Sequence, residues 1–167
     1  MTDLAIRDVE AADHAALRAL LVEAFEQPGE ADLVEALRKD GDVVLERVAI
    51  SGDRIAGHVL FSRLTVEAGG ASWPAVALAP LSVGAGFRRQ GIAAALVEDA
   101  HGRLRAGGET LSVVLGEPAY YGRFGYTHAR AAGFASDYQC DALQALSWTN
   151  DAPVRGRLVY AKAFGGL

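Results

Sequence analysis

The sequence predicts one α/β domain, and three observations carry that expectation. Its 167 residues match the roughly 150 of a single domain, so the domain is expected to run over residues 1–167. About half the residues are apolar (51%) and 22% are charged, which is enough apolar material for a packed core. Finally, segments with helical spacing alternate with β-branched, apolar runs, and one helix sits between two strand-like runs as a βαβ unit.

In chain order, Leu4-Ala5-Ile6-Arg7 reads as a first strand. Residues 8–25 read as a helix, because Leu17, Leu20, Leu21, Ala24 and Phe25 recur at i, i+3, i+4, i+7 and i+8, and Gln27-Pro28-Gly29 stops it. Residues 30–39 form a shorter helix with Leu33, Val34 and Leu37 on one face, ended by Asp40-Gly41. Residues 43–50 and 54–66 are strands joined by Ser51-Gly52-Asp53, a hairpin signal, and Gly69-Gly70 makes the next turn. The strand over 75–83 is almost wholly apolar, which fits burial on both faces, and Pro80 inside it predicts a bulge. A helix over 91–106 follows, capped by Gly107-Gly108, and then a short buried strand, Leu111–Leu115. After a helical turn near 118–124 the chain returns to strands and loops, ending in Arg157-Leu158-Val159-Tyr160.

Charge and cysteine content exclude several functions. The net charge of −5 argues against a nucleic-acid partner held by overall charge, so any basic site must be local. The lone Cys140 excludes an intrachain disulfide and a cysteine metal cluster, and it fits a reducing, cytoplasmic compartment. We read it as a small apolar filler. His14, His101 and His128 show no ligand spacing, so no metal is expected. The N-terminal MTDLAIRDVEAADH lacks the layout of a signal peptide. Residues 68–87 carry no charge, but four glycines, Pro74 and Pro80 suit strands and turns better than a membrane span.

Glycine is in excess, 19 of 167, and nine of the 19 fall between Gly84 and Gly125. The densest chemistry there is Val83-Gly84-Ala85-Gly86-Phe87-Arg88-Arg89-Gln90-Gly91-Ile92-Ala93, between a strand and a helix start. A helix N-terminus presents unpaired N–H groups and positive dipole, glycines admit a ligand closely, and arginines add charge-assisted bonds, so a phosphate-bearing ligand is expected. The plain alternative is a helix-start turn whose arginines face water. A dinucleotide fingerprint from Gly84 would need glycine where Arg89 stands. A Walker A loop on Gly86 and Gly91 would need Lys and Ser or Thr where Ile92 and Ala93 stand, which disfavours a nucleotide-binding regulator.

The residues Arg88 to Ala93 do fit [RQ]-x-x-G-x-[GA], and Tyr121, Gly125 and Tyr126 fit a Y-x-x-x-G-[FY] signature further on. In that order and spacing, over residues 4–130, the chain resembles the Gcn5-related N-acetyltransferases (GNAT), most of all their bacterial subgroup of predicted acetyltransferases. It departs from relatives in having Ala85 where proline is frequent and Ala93 where the motif often has glycine.

The resemblance implies a mixed, mostly antiparallel sheet of six to seven strands flanked by helices, with a splayed strand pair holding acetyl-CoA. It implies acetyl transfer to a primary amine by direct attack in a ternary complex, without a covalent enzyme intermediate. It assigns the pyrophosphate to Arg88, Arg89, Gln90, Gly91, Ile92 and Ala93. It assigns the pantetheine arm to the backbone of Leu81, Ser82 and Val83, and the thioester side to Tyr121 as general acid. The strand over 73–83 has no titratable side chain, so the base falls elsewhere: Glu26 or Glu117 foremost, with His58 and Glu67 also weighed, or a water chain. The acceptor is a small molecule or a protein amine, with no nucleic-acid or membrane partner, and the chain is a monomer or homodimer. The other class of reading is a non-catalytic acyl-CoA sensor or regulatory module; the missing acid on that strand favours it and Tyr121 speaks against it.

Overall fold

A computed structural model describes residues 4–166. Eight strands form one sheet: β1 (Leu4–Asp8), β2 (Val43–Ser51), β3 (Arg54–Ala68), β4 (Ala71–Val83), β5 (Leu111–Leu115), β6 (Phe134–Ala135), β7 (Leu143–Ser147) and β8 (Gly156–Tyr160). Their order is β1-β2-β3-β4-β5-β7, with β8 pairing both the far end of β3 and β6. Pairing is antiparallel except for β4 with β5 and β6 with β8. The six to seven strands expected become eight because two-residue β6 is too short to leave a sequence pattern.

Turn chemistry fixes the two long hairpins. Ser51 pairs with Arg54 around Gly52-Asp53, and Ala68 pairs with Ala71 around Gly69-Gly70, both of positive φ as a tight primed turn requires. Five helices flank the sheet: α1 (His14–Phe25), α2 (Gly29–Asp40), α3 (Ile92–Ala106), and the single-turn α4 (Pro118–Tyr121) and α5 (His128–Ala131). Leu21, Val34 and Leu37 of the first two pack with Leu60 of β3. Its neighbours Val59 and Phe61 pack with Leu96, Val97 and Ala100 of α3. Adjacent strand residues point to opposite faces, so the α1–α2 pair and α3 sandwich the sheet.

The first helix starts later than its spacing predicts. Asp8 belongs to β1, opposite Arg47, and residues 11–13 form a 3-10 turn before His14. Asp13 stops the helix from extending backwards: its carboxylate accepts from the Glu10 N–H at 2.8 Å and from the Arg7 guanidinium at 2.7 Å. That local bonding competes with helical pairing.

Candidate active site

β4 and β5 run parallel through three pairs, Val76 with Ser112, Ala77 with Val113 and Leu78 with Val114. There the pairing stops. On the β3 side, Val59 faces Leu81 while Phe61 faces Leu78, so Leu60 alone opposes both Ala79 and Pro80. This is the bulge expected at Pro80, and it bends β4 away from β5. Beyond Leu78, among the described residues, β4 has no strand partner on its β5 side. Its backbone groups there are free to pair with an extended ligand.

A cavity of about 300 Å³ opens at the divergence, lined by residues 77–81 and 113–115 and by Tyr121. Gly116 makes room for that tyrosine: a Cβ there would lie 2.5 Å from Tyr121 Cε2. Tyr120 meets Tyr121 edge to face at 5.1 Å, and Tyr126 does so at 6.0 Å on another side. Burial, with a contribution from Tyr120, pushes the Tyr121 phenol up to about 12. Behind it, the buried Tyr126 hydroxyl bonds Ser112 Oγ at 2.8 Å and His101 Nε2 at 2.9 Å. Burial lowers His101 to about 4, so its ring is neutral near pH 7.

β4 runs directly into the glycine turn. Residues 85–87 form a 3-10 turn, Arg88 is extended, and Arg89 (φ 63°) and Gly91 (φ 77°) are left-handed before α3 begins at Ile92. Arg88, Arg89 and Gln90 are exposed; Gln90 Nε2 reaches Gly86 O at 3.5 Å, and neither arginine is paired with an acid among the described residues. The first N–H groups of α3 have no intrahelical partner, so the turn offers donors and charge to an anion. Ile92 and Ala93 open that first turn. Leu81 lines the cavity, whereas the Ser82 hydroxyl is buried without a partner among the described residues, on the face shared with its cross-strand neighbour His58.

The carboxylates singled out from the sequence are not brought into the cavity lining. Glu26 is the exposed, left-handed cap of α1, and Glu117 is the exposed residue before α4, whose carbonyl accepts from the Tyr121 N–H. Glu67 is exposed near the end of β3, and His58 is buried against Glu46 at 2.7 Å. Cys140 corrects the reading of an apolar filler, because it is exposed in the loop before β7. One acid that spacing alone passed over does line the cavity: Glu30, in the first turn of α2. Phe25, Tyr138, Tyr160 and Phe164 join it, and their common wall forms only when the C-terminal segment folds back across α2. Among the described residues, no group of three or more His, Cys, Asp or Glu could hold a metal, and no helix is long and apolar enough to cross a membrane.

Residues 5–129 match the family described as the acetyltransferase (GNAT) domain. An uncharacterized N-acetyltransferase, YhbS, from Escherichia coli (strain K12) is 39% identical over 115 residues, 68% of each chain. The crystal structure of the E. coli GNAT family N-acetyltransferase YhbS in complex with CoA superposes with a TM-score of 0.90 at 32% identity, covering 99% of this chain and 93% of that one. A Brucella melitensis GNAT family acetyltransferase in complex with acetyl-CoA gives 0.82 at 29% identity, over 97% and 98%. With the splayed β4–β5 pair, the glycine turn before α3 and the match over most of its length, this chain belongs to the GNAT family of acetyltransferases.

Proposed function

We propose that this chain forms one N-acetyltransferase domain over residues 1–167 and transfers an acetyl group from acetyl-CoA to a primary amine by direct attack in a ternary complex. The observation that carries the reading is the opening between β4 and β5, walled by Tyr121, at the end of the strand that leads into the turn. The CoA and acetyl-CoA held by the two solved relatives support the same ligand here. Arg88, Arg89, Gln90 and the N–H groups around Gly91, Ile92 and Ala93 would hold the pyrophosphate. The free edge of β4 at Leu81, Ser82 and Val83 would pair with the pantetheine amides. The exposed thiol of Cys140 fits a reducing, cytoplasmic setting.

The chemistry requires a C–N bond to form, the C–S bond to break, and the amine to lose a proton while the thiolate gains one. Tyr121 is assigned to the sulfur side. With its phenol at about 12 against roughly 8.5 for a thiol, outright proton transfer costs about 5 kcal/mol. Tyr121 therefore acts by donating a hydrogen bond as charge develops on sulfur, with water completing the transfer. The low cavity polarity strengthens that bond. Glu26 and Glu117, both exposed, could take the amine's proton only through water.

Calorimetry with acetyl-CoA, ATP and NAD tests the reading, and only acetyl-CoA is expected to bind. Thiol release with an amine panel then separates enzyme from sensor. Tyr121→Phe is expected to lower kcat by roughly 10- to 100-fold with acetyl-CoA affinity nearly unchanged. Failure to bind acetyl-CoA at millimolar concentration would overturn the proposal.

A further inference from the structure

Beyond the slot for the thioester, the same cavity has a second wall of a different character. Tyr160 is met edge to face by Tyr138 at 5.2 Å, Phe164 packs on it at 5.4 Å, and Phe25 from the end of α1 completes the aromatic surface. Among the described residues, Glu30 is the only charged one in the lining, and no Lys, Arg or His contributes to it. Its carboxylate is steered by the Gln27 amide, which donates to both oxygens at 3.0 and 3.2 Å. A carboxylate offers about four acceptor sites, so lone pairs remain for a second donor.

We infer that the acceptor is a small, cationic primary amine on an aromatic or alkyl body, without a carboxylate or phosphate of its own, whose ammonium pairs with Glu30 beside the aromatic wall. This rests on the acetyl-transfer reading of the cavity. An ammonium is attracted both by a carboxylate and by aromatic faces, while a flat apolar body gains from burial against the same rings. An acceptor with its own anion would place that charge near Glu30 with no cation to receive it, and unpaired charge in an apolar cavity is strongly disfavoured. At about 300 Å³, shared with the thioester end, the cavity lies at the small end of the roughly 300–1,000 Å³ typical of ligand sites. The amine's two surplus protons balance the reaction: one reaches the departing sulfur and the other leaves to solvent past Glu30.

The test is thiol release by the full chain with phenethylamine, phenylalanine and spermidine as matched probes, alongside calorimetric binding of CoA. Phenethylamine is expected to exceed phenylalanine by at least about tenfold in kcat/KM, and spermidine to be poor because its further ammonium groups would enter an apolar lining where only Glu30 could pair with them. Glu30→Gln is expected to raise the KM for phenethylamine about 10- to 100-fold while leaving CoA affinity and the KM for acetyl-CoA unchanged, with Glu30→Asp recovering part of the loss. If CoA does not bind, the acetyl-transfer reading itself fails. If CoA binds but phenethylamine is not acetylated, or phenylalanine serves equally well, the acceptor class is wrong. An unaltered amine KM in a folded Glu30→Gln enzyme would remove Glu30 from recognition.

Discussion

Gly116 and Gly91 constrain the site in opposite ways. Gly116 is required for space, since any Cβ would strike the Tyr121 ring. Gly116→Ala is therefore expected to turn that ring and reduce kcat about as far as Tyr121→Phe does, with CoA binding retained in calorimetry. Gly91 has nothing within 4 Å of a hypothetical Cβ, yet its φ of +77° is costly for any residue with a side chain. Gly91→Val should cost at least about 1–2 kcal/mol where α3 begins and weaken acetyl-CoA binding by tenfold or more, measured as Kd. The need at Gly91 was legible, because a glycine between arginines and a helix start is a local pattern. The need at Gly116 was not, because the atom it avoids belongs to a ring placed five residues later by the turn into α4.

At the scale of elements, the question is what holds α2, and with it Glu30, against the sheet. Arg38 near the end of α2 donates to Glu46 of β2 at 3.0 Å, and Glu46 also bonds His58 of β3. Burial alone would push the Glu46 carboxyl up, but hydrogen bonds and charge from His58 and Arg38 outweigh it and hold the group at about 2. Its folded-state value lies below the ordinary 4.5, so the stability it contributes is complete above about pH 4.5 and is lost as the pH falls toward 2. Urea midpoints followed over that window should fall in the wild type. Glu46→Gln should lower the midpoint at neutral pH, corresponding to a loss of roughly 3–5 kcal/mol of stability for a broken buried pair, and flatten the acid dependence. None of this was visible in the sequence, where His58 read as a possible base. The partners lie 8 and 12 residues from Glu46; the β2–β3 register brings His58 to it, and the packing of α2 against β2 brings Arg38.

For the whole molecule, the proposed acetyl-CoA site joins β4, α3 and α4, so binding there is expected to stabilise the fold as a unit. At 100 times Kd, acetyl-CoA is expected to add about 2.7 kcal/mol, or roughly 5–11 °C in Tm for a chain of this length, whereas ATP and NAD leave Tm unchanged. A thermal scan checks this directly. The order of elements, the two hairpins, the βαβ unit and the bulge at Pro80 were all legible, since each depends on spacing or turn residues within a few positions. By itself, then, the sequence determined the family, the fold class and the place of the glycine turn between strand and helix, because those features are written in contiguous residues. Only the tertiary structure decided which acid borders the cavity, why Cys140 is exposed and how Tyr138, Tyr160 and Phe164 reach α2. Those depend on long-range pairing such as β3 with β8, which carries the C-terminal segment across the sheet and leaves no local pattern in the chain.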